Sequence, residues 1–231
     1  MATTPQVVDT LLHARWVIPV EPDLTCLEHT SLALRAGRIV DILPTSIART
    51  RYAANETVEL PNHALIPGLV NAHTHAAMSL FRGLADDLLL MDWLTKHMWP
   101  AEAKWVSPEF VRDGVRLAAA EMLKSGTTCV NDMYFFPEDA AAVLREAGMR
   151  ACIGLILIDF PTSYAQTADD YFDKGLKLPG PEIGRGIVAY YDGLPVAKQH
   201  RGGEFFVRRH VVKTDMPCMH NAGKIGRGGT Q

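Results

Sequence analysis

From Ala64 onward, strand-like apolar runs alternate with stretches of helical character, and this repetition constrains the fold more than any other feature of the chain. The first run, Ala64 to Ala72, leads into His73-Thr74-His75. The second is Thr127 to Tyr134 and the third Met149 to Leu157. Between the first two lies a long irregular stretch, Met78 to Trp105, with helical pieces around Leu88 to Met98. A helix follows it. Ser107-Pro108-Glu109 reads as an N-cap with proline at the first helical position, and Gly126 closes the element. Phe110, Val111, Val115, Ala118 and Met122 supply its apolar face. Pro137-Glu138-Asp139 opens a second helix, Ala140 to Ala147, ended by Gly148, and Ala165 to Lys177 forms a third. Strands alternating with helices predict parallel β/α units. Three such units are legible, whereas a closed barrel takes eight.

The ends of such strands carry chemistry, and His73 and His75 sit at one. On a strand, side chains i and i+2 point to the same face. The spacing therefore aims two imidazoles at one point, the way a strand offers two ligands to one metal ion, and zinc takes imidazole nitrogen. A pair of surface or capping histidines after a turn has the same spacing, and the spacing alone leaves both readings open.

Residues 7–63 have a different texture. Ser31 to Arg35 alternates, Ala36-Gly37 turns the chain, and Arg38 to Ile42 completes a hairpin. Thr57 to Leu60 is a further strand that Pro61-Asn62 is expected to stop. These segments predict an antiparallel sheet beside the β/α region. His13, His29 and His63 fall within it and read as surface or turn residues.

Composition narrows the function classes. The 231 residues are 48% hydrophobic and 21% charged, enough for a sizeable core. A net charge of −3 argues against a nucleic-acid-binding surface. Cys26, Cys129, Cys152 and Cys218 are scattered without a CxxC, which suits free thiols in a reducing, cytoplasmic setting. The first residues lack a basic and an apolar leader region, so no signal peptide is expected. No apolar run reaches about 18 residues, so no membrane span is expected either.

Pro67-Gly68-Leu69-Val70-Asn71-Ala72-His73-Thr74-His75 resembles the first-strand signature of the amidohydrolase superfamily, metal-dependent hydrolases built on a (β/α)8 barrel. Met78-Ser79-Leu80-Phe81-Arg82-Gly83-Leu84-Ala85-Asp86-Asp87, then Asp92-Trp93-Leu94 and Trp99-Pro100-Ala101-Glu102, narrow the likeness. They resemble the branch holding 5-methylthioadenosine/S-adenosylhomocysteine deaminases, triazine chlorohydrolases and guanine deaminases, with the first of these nearest. The resemblance runs from Val8 to Leu178. It implies an α/β fold: a partial (β/α)8 TIM-type barrel of three β/α units over residues 64–178, preceded by a small β-sandwich segment over residues 1–63. It also implies that His73 and His75 are zinc ligands, with one Zn2+ per subunit. Glu102 would accept hydrogen bonds from ribose hydroxyls, although a solvated loop carboxylate is the plainer reading of that residue alone. The implied reaction is deamination of an adenosine-type thioether by zinc-activated water. The implied partner is a small nucleoside, not nucleic acid or membrane, and homo-oligomers are common in the branch.

The departures from the family pattern are as informative. Its third histidine ligand, its His-x-x-Glu with the proton-shuttling glutamate, a further substrate-binding histidine and its last-strand aspartate have no counterpart here. No catalytic residue is therefore identified in this chain. Arg82, Asp86 and Asp87 read as structural, a buried ion pair or caps. Asp132 either orients a ligand or serves packing and capping. Trp93 and Trp99 either wall an apolar pocket or pack in the core, and His97 matches no ligand position. Residues 179–231 hold ten of the eighteen glycines and a basic balance. This stretch is expected to be irregular, with no kinship to the family's later strands, the product of a shifted reading frame or a truncated gene. His200, His210, Cys218 and His220 lie there without a scaffold. The expected product is a truncated aminohydrolase, inactive alone. A related guanine or cytosine deaminase, a triazine chlorohydrolase, and a non-catalytic interaction module are the alternatives.

Overall fold

The computed structural model describes residues 4–177, except Pro22 and Asp159 and the side chains of Leu157 and Leu176, together with the backbone of Tyr190–Tyr191. The chain divides into two compact units, Met1–Pro67 and Gly68–Gln231.

The first unit is a four-stranded sheet. Its elements are β1 (Gln6–Val17), β2 (Leu27–Arg35), β3 (Arg38–Pro44), helix α1 (Thr45–Arg51) and β4 (Tyr52–Leu65). The spatial order is β3-β2-β1-β4. The expected hairpin joins β2 to β3, with Arg35 opposite Arg38. Ala36 and Gly37 both take positive φ, 51° and 71°, as a two-residue turn that matches strand twist requires. Positive φ is uncommon outside glycine. At Ala36 the Asp9 carboxylate accepts the backbone N–H at 2.6 Å. Val8, Leu11, Ala33, Leu43, Ala48 and Tyr52 form one apolar cluster of this unit.

Four expectations fail here. The sheet is not wholly antiparallel, because β4 runs parallel to β1 after the crossover through α1. The strand expected to stop at Pro61-Asn62 continues to Leu65. Pro61 sits on an edge strand at the break in register between the Ala14–Leu60 and Trp16–Ala64 pairs, and edges and bulges tolerate proline. Ala64 and Leu65, assigned by pattern to the first β/α strand, therefore end β4. His13 is also not a surface residue. It is 5% exposed on the central strand β1, and its Nδ1 lies 2.6 Å from Ser31 Oγ. His29 and His63 are exposed as expected.

The second unit opens on β5 (Leu69–Thr74) and a 3-10 turn (Ala76–Phe81). Helical segments follow in series: α2 (Leu90–Trp93), a π-helical turn (Leu94–Met98) and α3 (Trp99–Trp105). Then come α4 (Pro108–Lys124), β6 (Thr127–Met133), α5 (Pro137–Glu146), β7 (Arg150–Gly154), β8 (Ile156–Leu157), α6 (Ala168–Leu176) and β9 (Tyr190–Tyr191). Strands β5, β6 and β7 are adjacent and parallel. The ends of α4 follow the expected chemistry: Ser107 Oγ accepts the Phe110 N–H at 3.2 Å, Pro108 stands at the first turn, and Gly126 takes φ 85° just past the helix. Val111, Val115, Val130, Leu144 and Tyr171 are among the fully buried core. The third expected strand is broken at Leu155: β7 pairs with β6, whereas β8 pairs with β9. The tail assigned to residues 179–231, with its histidines and Cys218, lies outside the described residues apart from the backbone of β9. Among the described residues no helix is long and apolar enough to cross a membrane.

Candidate active site

The C-terminal ends of β5, β6 and β7 lie side by side, with Thr74 in register with Asp132 and Asp132 with Ile153. In parallel α/β sheets this edge is where loops gather functional side chains. His73 lies on β5 and is exposed. His75 follows the strand directly, at φ −122° and ψ 73°. Their ring centroids are 5.1 Å apart, edge to face at 78°. The structure thus places the two histidines beside one another.

The C-terminal end of β6 holds His75 in place. His75 Nδ1 donates to the Met133 carbonyl at 2.5 Å. A carbonyl only accepts, so Nδ1 carries a proton, and in the neutral imidazole this tautomer leaves the lone pair on Nε2. A backbone bond of this kind orients a metal-binding imidazole and fixes its tautomer. Asp132 is 1% exposed, and its Oδ1 accepts the Ala76 N–H at 2.7 Å. Its Oδ2 has no hydrogen-bond partner among the described residues. Burial pushes the Asp132 carboxyl up to about 6, against the opposing pull of the Ala76 N–H and of His75. Of the two roles open to Asp132, it holds the backbone turn that carries His75. Gly114 supports the same turn from α4, since a Cβ there would run into the Ala77 carbonyl oxygen.

Glu102 belongs to α3 and is half-buried, so it is not a solvated loop carboxylate. The Tyr134 hydroxyl donates to its Oε1 at 2.7 Å. Burial raises the Glu102 pKa, while the bond from Tyr134 and the nearness of His75 work against the rise. Tyr134 is 5% exposed just beyond β6, with its ring 6.3 Å from that of His75. Burial first, and then the Glu102 charge, push its phenol well above the ordinary value, so it stays a donor.

His75, Met133, Glu102 and Tyr134 line one cavity of about 410 Å3, within the roughly 300–1,000 Å3 typical of small-molecule sites, whereas His73 and Asp132 lie outside its lining. His75, Glu102, Tyr134, Thr162 and Ser163 form its polar part, and Trp93, Met98, Trp99, Ile158 and Phe160 are among its apolar walls. Both tryptophans therefore face the cavity. His97 is exposed and outside the lining. Arg82 departs from expectation: it is exposed and forks onto Glu121 at 2.9 and 2.7 Å, not onto Asp86 or Asp87. The loop carrying it lies on the surface of α4, so the pair is not buried.

Two imidazoles on one strand end suit zinc, but they are only part of a ligand set. Among the described residues no group of three or more His, Cys, Asp or Glu side chains converges on a metal position. Sequence reasoning passed over Tyr134 as the end of a strand. The only local signal was its place two residues after Asp132, one residue past the end of β6.

The sequence profile of the amidohydrolase family matches residues 64–190, twelve residues beyond Leu178, where the motif resemblance ends. A 5-methylthioadenosine/S-adenosylhomocysteine deaminase from Saccharophagus degradans is 55% identical over 170 residues, 74% of this chain and 38% of that protein. The crystal structure of an adenosine deaminase from Xanthomonas campestris with bound zinc superposes with a TM-score of 0.74 at 48% identity, over 81% of this chain and 43% of that one. An atrazine chlorohydrolase from Arthrobacter aurescens complexed with zinc shares the fold at 18% identity, with a TM-score of 0.65 over 80% of this chain and 47% of its own. The chain thus spans less than half the length of each of these relatives. With its profile match covering more than half of its residues, the chain belongs to the amidohydrolase family.

Proposed function

We propose that this chain carries the first metal ligands and the nucleoside-binding wall of an aminohydrolase acting on adenosine thioethers of the 5-methylthioadenosine/S-adenosylhomocysteine type. The observation that carries the reading is the single cavity onto which both His75 and Glu102 open, at the strand ends where this fold class places its chemistry. The name borne by a relative with 55% identity supports the substrate class. The same reading takes the second unit as the opening β/α units of a TIM-type barrel and the first as part of a β-sandwich.

His73 and His75 would hold the zinc, with Met133 and Asp132 fixing the imidazole and the turn behind it. When bound, the metal supplies a water made nucleophilic near neutral pH. Glu102 accepts the sugar hydroxyls, and Trp93 and Trp99 cover the apolar part of the nucleoside and keep water from it. No side chain among the described residues is assigned to carry the proton to the leaving ammonia. Turnover accordingly needs groups outside them.

Binding tests the reading apart from turnover. Zinc retained after dialysis is expected to fall to background in both His73→Ala and His75→Ala. Titration with 5-methylthioadenosine is expected to quench the tryptophan fluorescence saturably, and Glu102→Ala is expected to weaken it roughly tenfold or more. Equal zinc retention by the variants would overturn the ligand assignment, and equal affinity for guanine would overturn the substrate class.

A further inference from the structure

Glu102 and His75, the carboxylate and the imidazole of the cavity lining, are both tied to a single dipeptide. Met133 accepts the His75 Nδ1–H through its carbonyl, and the next residue, Tyr134, donates its hydroxyl to Glu102. These two bonds run from the end of β6 in two directions, one to the imidazole after β5 and one to the carboxylate on α3. The imidazole and the carboxylate are therefore held by adjacent residues, one through its backbone carbonyl and the other through a phenol at the end of a buried ring.

We propose that Tyr134 is a positioning residue for substrate selection. By pinning Oε1 of Glu102 it fixes the plane of the carboxylate and presents the remaining acceptor positions to a ligand with adjacent hydroxyls, such as the ribose of a nucleoside. The inference rests on the nucleoside reading above. Three observations carry it. First, Tyr134 is itself fixed: it is 5% exposed and its ring packs 5.0 Å from that of Phe135. A phenol held by its ring has few torsions left to lose, so the hydroxyl makes a definite anchor. Second, Glu102 projects from a helix on a long side chain that would otherwise spread over several rotamers. One hydrogen bond from a fixed donor removes most of that freedom before the ligand arrives. Third, the rest of the lining is mostly apolar, with Trp93, Met98, Ile158 and Phe160 in it, and it holds no second carboxylate; of its hydroxyls, that of Thr162 is engaged with the Tyr171 hydroxyl. Discrimination between a ligand with hydroxyls and one without then falls to the Glu102 end. A site built to pair with hydroxyls rejects analogues lacking them far better than an apolar wall can.

The test compares dissociation constants of 5-methylthioadenosine and of its analogue lacking both ribose hydroxyls, read by tryptophan fluorescence, on four proteins: the unaltered chain, Tyr134→Phe, Glu102→Gln and the double variant. The unaltered chain is expected to favour the hydroxylated ligand by roughly tenfold or more, and Tyr134→Phe to keep only about threefold. The double variant is expected to match Glu102→Gln alone, because Tyr134 acts through that carboxylate. Circular dichroism checks that each variant is folded. As a measurement independent of Tyr134→Phe, fluorotyrosine placed at position 134 keeps the ring but strengthens the donor, and it is expected to alter the ratio. An unchanged ratio in either altered protein, or additive losses in the double variant, would overturn the positioning role and leave the nucleoside reading standing. An unaltered chain that binds neither ligand would overturn the nucleoside reading, and this proposal with it.

Discussion

His13 and His75 each have Nδ1 within hydrogen-bonding distance of an oxygen, yet their surroundings give them opposite uses. Ser31 donates its hydroxyl proton to Thr45 Oγ1 at 2.9 Å, so His13 Nδ1 donates to Ser31 Oγ and the neutral imidazole is satisfied. Burial lowers the His13 pKa below 6.5, and Arg49 adds to this while Glu59 opposes it. The sign follows by linkage. A base whose folded pKa is depressed contributes stability that is fully present above its unfolded value and is lost as pH falls through the folded one. The urea midpoint of the first unit's unfolding is expected to drop as pH is lowered from about 7 to about 5. His13→Gln is expected to flatten that slope. A slope unchanged in the variant would assign the acid sensitivity elsewhere. The adjacency of His73 and His75 was legible because strand geometry brings i and i+2 together. Tyr134 was not, because its partner Glu102 stands 32 residues away, on a helix whose direction no local pattern states.

At the scale of elements, α4 and the 3-10 turn Ala76–Phe81 are tightly coupled. A residue with a Cβ at position 114 would meet the Ala77 backbone, which has nowhere to yield in a buried contact. On helix propensity alone, Gly114→Ala should stabilise α4 by about 1 kcal/mol. The expected result is the reverse: a loss of about 1–3 kcal/mol in thermal or urea unfolding. Weaker zinc retention is expected with it, because the displaced turn carries His75. A neutral or stabilising outcome would show that the two elements are not in contact. The ends of α4 were readable, since Ser107, Pro108 and Gly126 act within one turn of where they stand in the sequence. The extent of β4 was not. Pro61 stops a strand inside a sheet but is tolerated on an edge, and which strand is an edge is a property of the assembled sheet.

Across the whole chain, apolar side chains remain uncovered on the second unit. Leu69 and Val70 on β5 are 50% and 53% exposed, and Leu89 and Leu90 are 80% and 67% exposed. Uncovered strands and contiguous apolar surface favour association between chains. Light scattering is therefore expected to rise steeply with concentration, and Leu69→Lys with Leu90→Lys is expected to delay the rise severalfold. Scattering that ignores both substitutions would place the sticky surface elsewhere. What the sequence alone determined was local in origin: the β/α alternation, the helix caps, the hairpin turn, and the motifs that carry the family resemblance. Each depends on periodicity or on hydrogen bonds between near neighbours. The tertiary structure alone decided the parallel pairing of β4 with β1, the burial of His13, the hold of Met133 and Asp132 on the His75 turn, and the meeting of Tyr134 with Glu102. These depend on which distant segments come to lie side by side, and that is settled by burial and packing summed over the fold, not by any short stretch of it.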